Sequence, residues 1–260
     1  MYQLYGALGA ASLSPQCVLE IAGVPYELIE VDISADTERD PEYLKLNPHG
    51  RIPTLVFDGQ VMIESAAICI YLADKYPESG LSPAADHPDR SRYLQWMVYL
   101  TNTLQEALLR KLYTSDFTDD PGSEADVASS ASGKLDLIMA FIDRSLGEAE
   151  GPFFLGHQLS SADIYLNMLT GWDPAIHVHV LAASTASGTT AAPHYPNIAI
   201  NNAEMLRQPA IARTFQANGY TQEKHNDAEW FKQYPKTCAR WLFFGVRLIC
   251  IAILDLVLLL

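Results

Sequence analysis

Basic side chains are scarce in this 260-residue chain: 17 Lys and Arg stand against 31 Asp and Glu, a formal net charge of −14. Phosphate binding needs basic patches, so nucleic acid is not expected as a partner. Cysteine is scarce too. Cys17, Cys69, Cys238 and Cys250 show no Cys-x-x-Cys pair and no metal-ligand spacing, so neither a metal cluster nor a redox dithiol is expected. Cys17 and Cys69 fall in apolar helical patterns, where a buried and inert thiol is the expected state. His177 and His179, two residues apart, fall on different faces of a helix, so no metal is expected there either. The first residues, Met1-Tyr2-Gln3-Leu4-Tyr5, lack the basic segment and apolar core of a secretory leader. With the sparse thiols, this makes a reducing cytoplasm the expected location. The length suits one large or two modest domains with a sizeable core.

Turn residues and apolar periodicity divide what is present. Tyr2 to Tyr5 reads as a short strand. Ser14-Pro15 places a capping hydroxyl ahead of a first-turn proline, and Gly23 closes the helix. Tyr26 to Asp32 reads as a second strand and Pro41 to Leu46 as a short helix. Asn47-Pro48 and His49-Gly50 are turn dipeptides. Ile52-Pro53 then opens the apolar run Thr54 to Phe57, a strand whose first position tolerates proline where its missing N–H is not needed. That leaves the Ile52 backbone free to pair with something other than protein. Asp58-Gly59 is a hairpin turn, and Val61 to Ile63 is the return strand. Glu64-Ser65 stand where that strand ends and the helix Ala66 to Tyr76 begins. There the helix dipole, the backbone amides and a hydroxyl favour a carboxylate.

Pro77 to His87 reads as a linker, and the pattern is helical afterwards. Arg90 to Tyr113 repeats Leu94, Met97, Val98, Leu104, Leu108 and Leu109 at close to 3.6 residues. Ser115 to Asp126 reads as a solvated acidic loop, and Leu135 to Gly147 as the next helix. Ser160 and Asp163 form a capping box ahead of the apolar run Ile164 to Leu169. Trp172 to Pro193 contains a low-complexity Ala/Ser/Thr run, read as loop or frayed helix. Tyr195-Pro196-Asn197 starts one further helical segment ending near Asn218.

From Asn47 to Tyr76, the succession of turn, proline, hairpin and Glu-Ser resembles the glutathione-binding half of the glutathione transferase superfamily. Gly156 to Ile164 resembles the capping signature of that family's helical domain, where its role is in folding. The resemblance covers roughly residues 1 to 220. It implies an α/β thioredoxin-like N-terminal domain (1–77), then an all-α helical-bundle C-terminal domain (88–220), with 221–260 left as an atypical tail. It also implies a cis proline at Pro53, with Ile52 pairing through its backbone with the cysteinyl part of glutathione. Glu64 and Ser65 would hold the γ-glutamyl end. Arg51, with its permanently charged fork, and His49 would flank the site near the glycyl carboxylate. The implied activity is conjugation of the glutathione thiolate to a small hydrophobic electrophile, with glutathione as co-substrate, no metal and a homodimeric assembly. A glutathione-dependent isomerase, ether-cleaving enzyme or dehalogenase fits the same residues, as does a non-catalytic glutathione-binding or scaffold protein.

A thiolate is the nucleophile in such chemistry, so a donor beside the sulfur that lowers its pKa is the expected device. The run Leu8 to Ala22 is most similar to the bacterial beta class, which has a cysteine at the position of Ala11 and a His-Lys pair where this chain has Gln105-Glu106. Mixed-disulfide chemistry at position 11 is therefore excluded. Ser12 is the expected thiolate donor, with Ser14 or a backbone amide near Ala10 to Ser12 as alternatives. Tyr5 lies too far inside the first strand. Leu8, Ala11, Trp96 and Tyr99 are the residues expected to line an electrophile pocket between the domains.

The end of the chain does not follow the family pattern. Trp241 to Leu260 carries fourteen Leu, Ile, Val and Phe residues, worth roughly −6 kcal/mol of membrane insertion. Arg247 and Asp255 return about +5 kcal/mol. The sum is near zero, so membrane association through 241–260 stands beside a helix laid on the protein and an unselected chain end.

Overall fold

The computed structural model describes residues 1–33, 39–181 and 194–220. The tail, with its apolar end 241–260, lies outside them, as do residues 182–193 of the low-complexity run.

The first part of the chain is built on a four-stranded sheet, β1 (Tyr2–Gly6), β2 (Tyr26–Glu30), β3 (Thr54–Phe57) and β4 (Gln60–Ile63), in the order β2-β1-β3-β4. β1 runs parallel to β2 and antiparallel to β3, pairing Leu4 with Leu28 and Leu55, and β3–β4 is the expected hairpin. Among the described residues three α-helices belong to this part: α1 (Leu13–Ala22), α2 (Pro41–Leu46) and α3 (Ser65–Lys75). α1 and α3 pack together, and Leu13, Cys17, Val18, Ile68, Cys69 and Leu72 join Leu4 and Leu55 in the core. Residues Leu13 to Leu19 of α1 are all buried, because α3, α7 and α10 cover the helix on several sides.

The rest is helical: α4 (Arg90–Tyr99), a π-helical stretch Leu100–Gln105, α5 (Glu106–Leu112), α6 (Glu124–Gly147), α7 (Ser161–Thr170), α8 (Pro174–Leu181), α9 (Pro196–Met205) and α10 (Pro209–Ala217). Every residue of α7 is buried, which makes it the axis of this half. The fold class is the expected one: a thioredoxin-like α/β domain followed by an all-helical domain.

Several local expectations are corrected. Ser12, not Ser14, stands at the N-cap of α1, and its side chain does not cap the helix. The Ser14 hydroxyl is buried against Met168 Sδ at 3.3 Å. α6 begins at Glu124 rather than Leu135. The Ala-Ser-Ser-Ala-Ser-Gly run has weak helix propensity, but it lies in one helix with Ala131 and Leu135, which are buried. The segment expected as one helix from Tyr195 to Asn218 is two, broken ahead of Pro209, because proline disfavours helical geometry at Gln208 (ψ 114°).

Arg90 ties the two parts together across the connecting segment. Its guanidinium donates to both carboxylate oxygens of Asp74, at 2.6 and 2.7 Å, and to Ser82 Oγ. The Arg90 hydrogen bonds hold the Asp74 carboxyl below its usual range despite partial burial. A depressed folded-state pKa adds stability above the unfolded value, and this is lost as pH falls through the folded one. Asp74 is 41% exposed, so Asp74→Asn should cost only about 1 kcal/mol at neutral pH. In urea titrations the difference between the two proteins should close in acid. A gap unchanged at low pH would show that the charge is not what matters.

Candidate active site

The turn before β3 presents a short length of backbone. The Ile52–Pro53 peptide is cis. The carbonyl just before it, on Arg51, accepts hydrogen bonds from Tyr43 Oη at 2.5 Å and Asn47 Nδ2 at 2.6 Å. Tyr43 also contacts Thr54 Oγ1 at 3.0 Å, and burial pushes its phenol up. Asn47 therefore does more than punctuate a turn; it fixes the carbonyl adjoining Ile52. Among the described residues no hydrogen bond is made by the Ile52 backbone, the first of the β3 pairings being Thr54 with Tyr5 and Ile63. The side chains of Arg51 and His49 are exposed.

The hairpin returns the chain to Glu64, which has φ +71° and ψ 104°. A non-glycine residue there carries on the order of 1–3 kcal/mol of strain. It leaves the Glu64 side chain exposed at the mouth of α3, while its carbonyl accepts from Ile68 N–H at 2.9 Å. Ser65 is buried, and its hydroxyl donates to the Ala11 carbonyl at 2.6 Å. This contact, made across 54 positions of sequence, sets the N-terminus of α3 beside that of α1. Two positive helix ends converge there, next to the cis-proline turn. The Ser65 hydroxyl proton is already committed to Ala11, so an anion at α3 would meet backbone N–H groups first.

Ser12 is placed differently from the expectation. It is 1% exposed, and its Oγ accepts from Ala7 N–H at 3.3 Å and donates to the Ala7 carbonyl at 3.1 Å. The hydroxyl closes the loop ahead of α1 and is not presented to a cleft. The N–H groups of Ala11 and Ser12 have no partner among the described residues, as befits a helix start. Leu8 is 59% exposed and Ala11 is buried. Trp96 and Tyr99 are corrected: Trp96, 4% exposed, stacks on Phe154 at 4.1 Å and joins Tyr99 and Phe141 in an aromatic cluster. Both rings meet Phe141 of α6, so Trp96 is core rather than cleft and Tyr99 is a half-buried flank of the same cluster.

Other residues near the site carried no sequence signal. Tyr165 of α7 donates to Gln105 Oε1 at 2.6 Å, and Ser65 is a further polar neighbour of its hydroxyl. Burial pushes that phenol well up, so it remains a donor. Gln105 ends the π-helical stretch, where the wider turn re-aims side chains. Trp172, Asn218 and Tyr220 reach from the helical half to Gly9.

A thioredoxin-like sheet with a cis-proline turn facing two helix ends, joined to an all-helical half, defines a class of protein. Residues 1–74 match the family profile described as glutathione S-transferase, N-terminal domain. Glutathione S-transferase GST-4.5 of Xanthomonas campestris is 30% identical over 171 residues, covering 65% of this chain and 81% of that protein. A glutathione transferase homologue from Sulfitobacter, solved with bound glutathione, superposes with a TM-score of 0.72 at 26% identity, covering 85% of this chain and 99% of that one. A sphingomonad glutathione S-transferase complexed with glutathione gives a TM-score of 0.67 at 28% identity, covering 84% and 100%. The chain belongs to the glutathione transferase superfamily and is a transferase.

Proposed function

We propose that the protein binds glutathione across the cis-proline turn and the N-terminus of α3, and conjugates its thiolate to a small hydrophobic electrophile. The observation that carries this reading is the Ser65–Ala11 contact, which brings two helix N-termini together beside the unpaired backbone of Ile52. The γ-glutamyl group bears an ammonium and a carboxylate. Glu64 complements the first, and the leading N–H groups of α3 complement the second. Ile52 aligns the cysteinyl backbone as an added strand does, Pro53 holds that turn, and Arg51 meets the glycyl carboxylate. The sulfur then lies toward the start of α1, where the Ala11 and Ser12 amides stabilise the thiolate without having to move a proton. Leu8 and Ala11 border the space left for the electrophile. Relatives of the chain with bound glutathione support the choice of ligand. The proposal includes a cytoplasmic homodimer acting in detoxification. Among the described residues no helix is long and apolar enough to cross a membrane.

Calorimetry with glutathione, combined with the ultraviolet thiolate band of the complex against pH, tests this. The expected result is binding with a thiol pKa well below that of free glutathione. Binding without the shift would favour a carrier, and no binding would sink the site. Removing a side-chain donor of this kind costs on the order of 100-fold in rate. Because the Ser12 hydroxyl is bonded to Ala7 in both directions, Ser12→Ala should lower conjugation by less than about tenfold. A loss near the larger figure would return the role to the hydroxyl.

A further inference from the structure

The loop between β1 and α1 is held from outside at one peptide. Gly9 is buried at φ +66°, and both of its backbone polar groups are taken by side chains of the helical half. Its N–H donates to Asn218 Oδ1 at 3.2 Å. Its carbonyl accepts from Trp172 Nε1 at 3.1 Å and faces Tyr220 Oη at 3.1 Å. The Tyr220 proton is shared with the Met168 carbonyl at 3.2 Å.

Asn218, 4% exposed, is the centre of this arrangement. Its Nδ2 donates to Gln16 Oε1 and to the Thr214 carbonyl, both at 2.9 Å. Only one orientation of the amide satisfies these partners, since Gly9 N–H can only donate and the Thr214 carbonyl can only accept. Gln16 continues the chain to Tyr26 Oη at 3.0 Å. The ring of Tyr220 is seated as tightly: a methyl group on Gly171 would stand 1.9 Å from Tyr220 Cε1.

The bonds inside the loop (Ala10 N–H to the Ala7 carbonyl, and Ser12 Oγ to Ala7) shape it but do not tilt it relative to α3. Its far end is fixed by Ser65 on the Ala11 carbonyl, and its near end by the Gly9 clamp. We propose that Asn218 and Tyr220 are positioning residues: by clamping Gly9 from the helical half they set where the Ala11 and Ser12 amides stand relative to the glutathione sulfur. A donor to a developing anion must sit within a few tenths of an ångström of its place, so a loose clamp raises the thiol pKa without emptying the site.

The inference rests on the proposed thiolate site, and the test separates the two. Wild-type protein is first shown to bind glutathione and lower its thiol pKa; failure there overturns the functional reading itself. Asn218→Ala is then expected to raise the bound thiol pKa by about one unit, roughly tenfold in thiolate fraction. The affinity for S-methylglutathione, which has no thiol, should change less than about threefold, because α3 and the cis-proline turn still hold the tripeptide. Tyr220→Phe deletes one hydroxyl and keeps the ring, so it should fold and shift the pKa in the same direction by a smaller amount. If Asn218→Ala does not fold, the pKa measured in Tyr220→Phe decides between the two outcomes. An unchanged thiol pKa in every variant that folds overturns the clamp, even where stability falls. So does an equal loss of S-methylglutathione affinity, which would place the effect on binding rather than on the sulfur.

Discussion

Replacing Asp163 with alanine should cost about 4 kcal/mol of stability and lower the midpoint of thermal unfolding by roughly 10 °C. The carboxylate is fully buried and accepts four hydrogen bonds: Phe154 N–H at 3.0 Å and Asn201 Nδ2 at 2.8 Å on one oxygen, Ser160 N–H at 2.9 Å and Ser160 Oγ at 2.8 Å on the other. Burial pushes this carboxyl up, and the four donors pull it back. In alanine's place the hydroxyl and the amide reorient, but the two backbone N–H groups cannot, and each orphaned buried donor costs about 1–3 kcal/mol. Asp163→Asn keeps the shape and loses one acceptor, so about 2 kcal/mol is expected. Urea unfolding of the three proteins checks this. A loss under about 1 kcal/mol for the alanine variant would mean that water replaces the carboxylate and that α7 is not anchored there.

The second large effect belongs to the site. Glu64→Gln should weaken glutathione binding by roughly 10- to 100-fold, the range for a lost charge-assisted contact, while leaving the fold intact. Glutamine keeps the length of the side chain and inherits the same strained backbone at φ +71°. Calorimetry of the two proteins with glutathione would therefore report the charge alone. Equal affinities would show that Glu64 is held at positive φ for a purely structural reason. The ammonium of the γ-glutamyl group would then need another partner.

Much of the first part of the chain was legible because its signals are local. Asn-Pro, Ile-Pro and Asp-Gly restrict their own dihedrals, and the hairpin and α3 appear within a residue of where the sequence places them. The capping box at Ser160 and Asp163 is of the same kind. The expectations that failed depended on what lies across space. Ser12 has the right chemistry and neighbouring position for a thiolate donor, but it is turned inward to Ala7. Trp96 and Tyr99 have the spacing of a cleft-lining pair and equally that of a core pair; Phe154 and Phe141 chose the core. The helix from Glu124 starts ahead of its apolar periodicity because its first turns are exposed or half-buried and carry no apolar stripe before Ala131 and Leu135.

Residue identity and nearest-neighbour geometry were enough for the resemblance to the family, which in turn implied the cis proline, for the order of elements in the first part of the chain, and for the lack of a nucleophilic cysteine at position 11. Which polar groups remain available was settled by tertiary packing alone. Ser65's proton goes to Ala11, Ser12's hydroxyl to Ala7, and Gly9's peptide to Trp172, Asn218 and Tyr220. Hydrogen bonds between residues up to 211 positions apart leave no periodicity in a sequence. They arise because α7 and α10 pack against α1, and a buried donor or acceptor must find its partner there.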